Sequence, residues 1–310
     1  MLSKIKSNKS NLLIYFIVAI FLSIFVYKYW KDFRSLQIEN PSAIIPITLM
    51  LVFVLIINGL VNQVILRSYK VPIKLIESIS LSIVNSLGNL LIPLRGGAIS
   101  NAVYLKKKYN FSYSLYLSSL SAFYILVFWV NTFLGLVTIL LRYYLNQDQI
   151  PLHLFIFFLF TFLFFSYVIV FSPQLPLTKF TYVNKIIGVI NDWKVISNNK
   201  SVIFQLILLT SLNIIFASIA TFFEFILIGE VIGLDKLIIY TIFSGFSILV
   251  SFTPGNIGIR ESFSVYSASV LGIFLPLVIV VSIVDRVTTF IITLVLAILT
   301  SRFLKTTKKQ

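Results

Sequence analysis

Long uncharged apolar runs, separated by short stretches that carry lysine and arginine, dominate the chain. A helix needs about 20 apolar residues to cross the hydrocarbon core of a bilayer, and several runs reach that length. The uncharged runs are 12–27, 43–66, 78–94, 113–141, 150–178, 201–223, 237–259, 262–284 and 287–301. This pattern predicts an all-α polytopic membrane protein, whose last span crosses from about Leu277 to Thr300.

Two of these runs end in sequence that a regular helix cannot continue. Segment 78–94 ends at Pro93, and segment 237–259 ends around Pro254 and its following glycines. Proline removes a backbone donor and glycine favours turns, so both segments break at these points. Inside a bilayer, an open backbone is tolerated only where protein or a water-filled cavity satisfies it. We therefore predict two re-entrant or broken helices.

The distribution of basic residues distinguishes two membrane arrangements. The chain has 25 Lys and Arg against 10 Asp and Glu. With six full spans and two re-entrant helices, 18 basic residues face one side, together with both termini, and five face the other. The positive-inside rule favours this arrangement, with both termini cytoplasmic. The alternative of eight full spans divides the basic residues evenly.

The six-span arrangement has an internal symmetry within a single membrane domain, 1–310. Residues 12–141 and 152–300 each contain two spans, a re-entrant element and another span. The preceding span ends 27 residues before Pro93 in the first half and 26 residues before Pro254 in the second. Because the halves enter from opposite sides, they predict two inverted repeats, which is a transporter architecture. Residues 179–200 predict an amphipathic helix on the cytoplasmic surface.

The amino-acid composition excludes several classes of protein function. Hydrophobic residues make up 58% of the chain and charged residues 11%, with a mean hydropathy of +1.00, which excludes an ordinary soluble domain. The basic residues lie between apolar runs, so they indicate loops facing an anionic membrane rather than nucleic acid. With no cysteine and the single histidine His153, we expect no metal site, no cofactor, no catalytic residue and no enzyme activity.

Five charged residues fall at membrane depth, where each is costly and normally has a partner. They are Glu224, Arg260, Glu261, Asp285 and Arg286. Adjacent residues of a helix point about 100° apart, so we expect Arg260 or Arg286 to pair with Glu261 or Asp285 across the bundle. Such a pair either serves a ligand or only stabilises the bundle.

The two proline-glycine turns, each followed by a helix, predict an anion site. Free backbone N–H groups and the positive end of a helix attract anions, and neighbouring arginines add charge. An anionic lipid headgroup is the expected ligand. The candidate substrate-binding residues are Pro93, Arg95, Gly96, Gly97, Pro254, Gly255, Asn256, Gly258, Arg260, Glu261, Asp285 and Arg286. Asparagines within the apolar runs, such as Asn58 and Asn213, predict hydrogen bonds between helices or a polar path.

The two proline-glycine motifs resemble those of a known family of membrane domains. The run from Pro93 to Leu105 and the run from Pro254 to Glu261 resemble the flippase-like membrane domain of lysylphosphatidylglycerol synthases over nearly the whole chain. In that family the first motif usually has a Glu and an Arg where this chain has Ala98 and Asn101. The resemblance implies movement of a lipid or lipid-linked glycan between leaflets. No aminoacyl-transferase domain follows, so lipid aminoacylation is not expected.

Two functions follow as expectations. The first is a lipid translocator of the cell membrane that moves an anionic phospholipid or lipid-linked glycan between leaflets. The alternative is a non-catalytic membrane subunit or scaffold for a cell-envelope glycosyltransferase, which the two missing motif charges favour. Membrane lipids are the expected partners in the first case, and an envelope-biosynthesis protein in the second.

Overall fold

The computed structural model describes residues 38–93, 95–146, 150–171, 199–250 and 253–304, with single residues between 176 and 197. Within these residues all regular structure is helical, and there are nine α-helices, four short 3₁₀ helices and no strand. The predicted first span, 12–27, and most of the predicted surface helix, 179–200, lie outside the described residues. The prediction of an all-α protein is confirmed.

Five of the described helices are long and apolar enough to cross a membrane. They are α1 (Ile44–Ser68), α4 (Tyr113–Asn146), α5 (Leu152–Phe171), α6 (Lys200–Leu227) and α9 (Leu275–Thr300). Each coincides with a predicted apolar run or span, because an unbroken run of about 20 apolar residues has no competing way to satisfy its backbone in lipid. The prediction of a polytopic membrane protein is therefore confirmed.

Four shorter helices form two consecutive pairs. The first pair is α2 (Leu75–Leu91) and α3 (Gly96–Tyr109), and the second is α7 (Leu234–Gly245) and α8 (Ile259–Leu271). A 3₁₀ turn, Phe246–Val250, extends α7. Both breaks fall at the predicted proline turns, where Arg95, Gly255 and Gly258 have positive φ angles. The prediction of two broken helices is confirmed.

The first pair folds into an antiparallel hairpin. At its base, the hydroxyls of Tyr104 and Tyr109 on α3 donate to Glu77 on α2 at 2.9 and 2.8 Å. Near its tip the two helices touch through their backbones: a Cβ added to Gly97 would lie 2.0 Å from the carbonyl oxygen of Asn85. Glycine is thus required at this crossing, and the chain returns to the end from which α2 starts.

The second pair is packed side by side through aromatic rings. The ring of Phe243 on α7 lies 5.5 Å from that of Phe263 on α8. At the base, Asp235 binds Arg142 of α4. Beyond α7, the ring of Phe246 stacks on Phe128 of α4 at 4.9 Å. These contacts fix the second hairpin to the long helices.

The hairpin bases lie at opposite ends of the bundle. Leu275 begins α9 directly after the base of the second hairpin. Leu304, past the other end of α9, packs against the apolar cluster at the base of the first hairpin, which includes Leu105 and Phe111. A helix of 26 residues is about 39 Å long. The tips meet between these ends, since a Cβ on Gly255 would lie 3.5 Å from the carbonyl oxygen of Leu90.

The long helices α1 and α6 pack against each other beside the hairpins. The side-chain amide of Asn213 donates to Asn58 at 3.0 Å, and the rings of Phe53 and Phe216 stack at 5.2 Å. An amide pair satisfies both polar groups within the apolar bundle, which stabilises the contact. The predicted interhelical hydrogen bonding is confirmed for these two asparagines.

Candidate functional site

Four charged side chains beside the second turn form two ion pairs. Arg260 Nη1 lies 2.5 Å from Asp285 Oδ2, and Arg286 Nη2 lies 2.5 Å from Glu261 Oε1. The partners come from α8 and α9, so each residue of the adjacent pair Asp285-Arg286 reaches a different position on α8. This confirms the prediction that the arginines pair across the bundle rather than with their neighbours in sequence.

Glu261 is the centre of the site. Its Oε2 accepts from the backbone N–H of Gly258 at 2.6 Å, and its Oε1 accepts from Ser282 Oγ at 2.9 Å and from Arg286 Nε at 2.8 Å. Gly258 precedes the first residue of α8, so the carboxylate caps the positive end of that helix. The side chain is 7% exposed, and its charge is balanced by Arg286.

The polypeptide of the second turn is held by its own polar groups and by Arg286. Arg286 Nη1 donates to the carbonyl oxygen of Gly255 at 2.7 Å. Asn256 Nδ2 donates to the carbonyl oxygen of Ser247 at 2.9 Å, and Thr253 Oγ1 donates to that of Ile257 at 2.9 Å. Pro254 begins the short 3₁₀ turn that contains Gly255. Arg286 therefore links Glu261, the turn and α9.

The first turn uses different contacts. Arg95 has a left-handed backbone (φ 59°) and its guanidinium donates to the Tyr124 hydroxyl on α4, 4.9 Å from the centre of that ring. Gly96 and Gly97 are buried, and Pro93 lies at the hairpin tip. The structure thus separates Arg95, which contacts α4, from Arg260 and Arg286, which bind carboxylates. The three arginines thus have different protein partners, and their binding of one headgroup stays a prediction.

Two backbone donors of the turns are not free, contrary to the expectation of free N–H groups. The N–H of Gly97 donates to Asn89 Oδ1 at 3.1 Å, and the N–H of Gly258 donates to Glu261. Side chains of the protein accept hydrogen bonds from these N–H groups, because an unsatisfied N–H in an apolar bundle is costly. An anion at either helix end has to replace these acceptors or bind the arginines.

The starts of α3 and α8 share a register. Counted from the residue before each helix, Arg95 and Gly258, the third helical residue is Ala98 in α3 and Glu261 in α8. The first hairpin therefore lacks a capping carboxylate at the place where the second has one. Asn101, one turn further, is 5% exposed and hydrogen-bonds to Tyr116.

Several polar residues of the site lay outside the candidate list. Ser282 was missed, although it lies four residues before Arg286 and hence on the same face of α9. Tyr124, the partner of Arg95, gave no signal among the many aromatic residues. Glu224 of α6, recognised as a charge at membrane depth, is 1% exposed and lies within hydrogen-bonding reach of Asp285.

A further charged group closes the base of the first hairpin. Glu77 accepts from Tyr104 and Tyr109 and lies 3.0 Å from Lys108 Nζ. Burial and the hydrogen bonds to Glu77 raise the pKa of both tyrosine hydroxyls well above its ordinary value. Both hydroxyls therefore remain donors over the neutral range. Among the described residues, no group of three or more His, Asp or Glu side chains is arranged to hold a metal.

Comparison with known proteins identifies one relationship. The family model described as the lysylphosphatidylglycerol synthase TM region matches residues 11–297. No curated protein matches the chain. The matched range includes both hairpins, both ion pairs, four of the five described candidate spans and most of the fifth, α9.

Proposed function

Because the chain belongs to the lysylphosphatidylglycerol synthase TM-region family, we propose that it moves an anionic lipid, a phospholipid or a lipid-linked glycan, between membrane leaflets. It is a multi-pass membrane protein of a lipid-related family. Charged residues in the membrane interior are costly, and those that occur there commonly mark the path of a substrate or ion. The lipid passes through chemically unchanged, so the chain acts as a transporter and not as an enzyme.

The membrane arrangement that we propose has six full spans and two re-entrant hairpins. The five described spans supply all but one of the six, and the run 12–27 supplies the first. The opposite placement of the two hairpin bases supports a pair of inverted halves, 12–141 and 152–300. In this arrangement both termini are cytoplasmic and the protein resides in the cell membrane, as the distribution of basic residues indicates.

One observation carries the proposal: the hairpin tips meet at Gly255 and Leu90, and Arg286 lies directly against them. A headgroup that approaches from either face therefore reaches the same guanidinium. A phosphate oxygen offers the planar guanidinium the same two-point acceptor geometry as a carboxylate. The headgroup would replace Glu261 at Arg286, or Asp285 at Arg260, and the displaced carboxylate would return when the lipid leaves.

The proposed exchange is tested by a leaflet-specific lipid assay. Purified protein is reconstituted in vesicles containing fluorescent phosphatidylglycerol, and a membrane-impermeant quencher reports how fast outer-leaflet lipid is replenished. The wild type is expected to accelerate this exchange, and the double variant Arg260→Ala, Glu261→Ala to lose the acceleration. Arg302→Ala, which removes an exposed arginine outside the site, is the control. Equal rates for the wild type and the double variant would refute the proposal.

A second candidate is the non-catalytic partner of an envelope glycosyltransferase. One observation favours it: Arg260 and Arg286 already have carboxylate partners, and Ala98 leaves the first hairpin without a matching charge. In that case the ion pairs only hold the hairpins together. Co-purification of a partner in equal amount, together with vesicles in which no lipid moves, would support this function over transport.

A further inference from the structure

Glu224 lies beside the Arg260–Asp285 pair but has no part in the headgroup exchange proposed above. Its side chain is 1% exposed, on α6, and lies within hydrogen-bonding reach of Asp285 on α9. Its Oε1 has no hydrogen-bond partner among the described residues. Asp285 in turn binds Arg260 of α8 at 2.5 Å. Three helices thus bring two carboxyl groups and one guanidinium together in the bundle interior.

The helices packed around Glu224 determine which charged and polar groups lie near it. From α7, Tyr240 faces the group and hydrogen-bonds Ser264 of α8, and Lys236 lies one turn earlier and is partly exposed. Ala43, just before α1, and Ile47 of α1 pack there and are apolar. Arg67 is in the last turn of α1, at the far end. On α4, Arg142 binds Asp235. Arg260 is therefore the cation that faces both carboxyls.

The charges of this group require a proton. Two ionised carboxylates are both acceptors, so a hydrogen bond between Glu224 and Asp285 needs a proton on one of them. Arg260 balances one negative charge, and a second, unbalanced carboxylate would be expensive in the apolar interior. Arg260 holds Asp285 directly, so the proton resides on Glu224.

We propose that Glu224 and Asp285 together form a proton-binding site, which Arg260 controls. The site holds one proton at rest, and a second proton that it takes up and releases is the ion coupled to lipid movement. The coupling rests on the function proposed above. When a lipid phosphate binds the Arg260 guanidinium, Asp285 loses the cation that balances its charge. Asp285 then takes up a second proton from water. When the phosphate leaves, Arg260 returns to Asp285 and that proton is released.

Infrared difference spectroscopy of the full chain, reconstituted in ether-linked lipids that have no ester C=O, tests the site, because a protonated carboxyl then has its own C=O band. In phosphatidylcholine vesicles at neutral pH, the wild type is expected to show this band and Glu224→Gln to lose it. Asp285→Asn is also expected to lose it, although Glu224 is intact, since Arg260 then holds Glu224 as a carboxylate. Glu224→Asp keeps the carboxyl and should keep the band. Glu230→Gln, at an exposed position beyond α6, is the control.

Three outcomes would contradict the proposed proton site: no carboxyl band in the wild type, a band that remains in Glu224→Gln, or a band that remains in Asp285→Asn. The coupling to lipid is tested by replacing phosphatidylcholine with the anionic phosphatidylglycerol. The carboxyl band is expected to be stronger in phosphatidylglycerol, and bands of equal strength in the two lipids would contradict the coupling. These measurements require no lipid movement. Vesicles that show the expected bands but move no lipid would refute the proposed function and leave the proton site standing.

Discussion

Arg286 and Glu261 meet at one atom: Nε and Nη2 of the guanidinium both donate to Oε1 of the carboxylate, at 2.8 and 2.5 Å. The other carboxylate oxygen caps α8, and the remaining guanidinium nitrogen holds the carbonyl oxygen of Gly255. This one pair therefore joins α9, the start of α8 and the turn between the hairpin tips. A change at either residue acts on all three elements.

The losses of stability caused by removing each member of this pair are expected to be non-additive. Glu261→Gln leaves Arg286 buried without its counter-charge, which costs about 3–5 kcal/mol. The double variant Glu261→Gln, Arg286→Gln leaves no isolated charge, so its loss should be smaller than the sum of the single losses. Thermal unfolding in detergent, with Glu230→Gln as the exposed control, measures both. Additive losses would show that the two residues do not interact.

Gly255 and Gly272 both have a left-handed backbone. Comparing alanine at the two positions therefore separates the cost of backbone strain from the effect of a disturbed side-chain contact. Gly255 and Gly272 have φ angles of +56° and +68°, so alanine at either position costs about 1–2 kcal/mol. A Cβ on Gly255 would also lie 3.0 Å from Arg286 Nη1, whereas a Cβ on Gly272 meets nothing within 4 Å. Gly255→Ala should therefore lower the unfolding temperature more than Gly272→Ala, and only Gly255→Ala should slow lipid exchange. Equal effects in both assays would exclude a role for the Gly255–Arg286 contact.

The sequence predicted the helices and the breaks better than the contacts of the site. Uncharged runs and prolines are local signals, and α1, α4 and α6 follow them closely. The prediction that Arg260 or Arg286 pairs across the bundle with Glu261 or Asp285 followed from the cost of buried charge. The contact of Arg95 with Tyr124 on α4 had no signal in the sequence, because it depends on where the hairpin tip lies against α4. Glu224 next to Asp285 depends on how α6 packs on α9, which no local pattern encodes.

Cysteine labelling tests the opposed hairpins, and the natural chain has no cysteine to interfere. Lys107 is exposed at the base of the first hairpin, and Val231 is 76% exposed between α6 and the second hairpin. A membrane-impermeant thiol reagent applied to intact cells should label Val231→Cys and not Lys107→Cys. Lys107→Cys should react only after the cells are opened. Labelling of both variants from outside would exclude the six-span arrangement and favour eight full spans.

The tyrosines that bind Glu77 predict a loss of stability at alkaline pH. The pKa values of Tyr104 and Tyr109 are raised in the folded protein, first by burial and then by the hydrogen bonds to Glu77. In the unfolded chain both ionise near the ordinary pKa of about 10. Their contribution is therefore complete below that pH and declines as the pH rises toward the higher folded-state pKa.

The double variant Tyr104→Phe, Tyr109→Phe removes both titrating groups, so its unfolding temperature should fall less steeply above pH ~10 than that of the wild type. At neutral pH the same variant should be less stable, because Glu77 loses two donors and keeps only Lys108. Tyr144→Phe, at an exposed position of α4, controls for the loss of a hydroxyl. Parallel pH profiles for the wild type and the double variant would mean that Glu77 does not hold these hydroxyls in their neutral form.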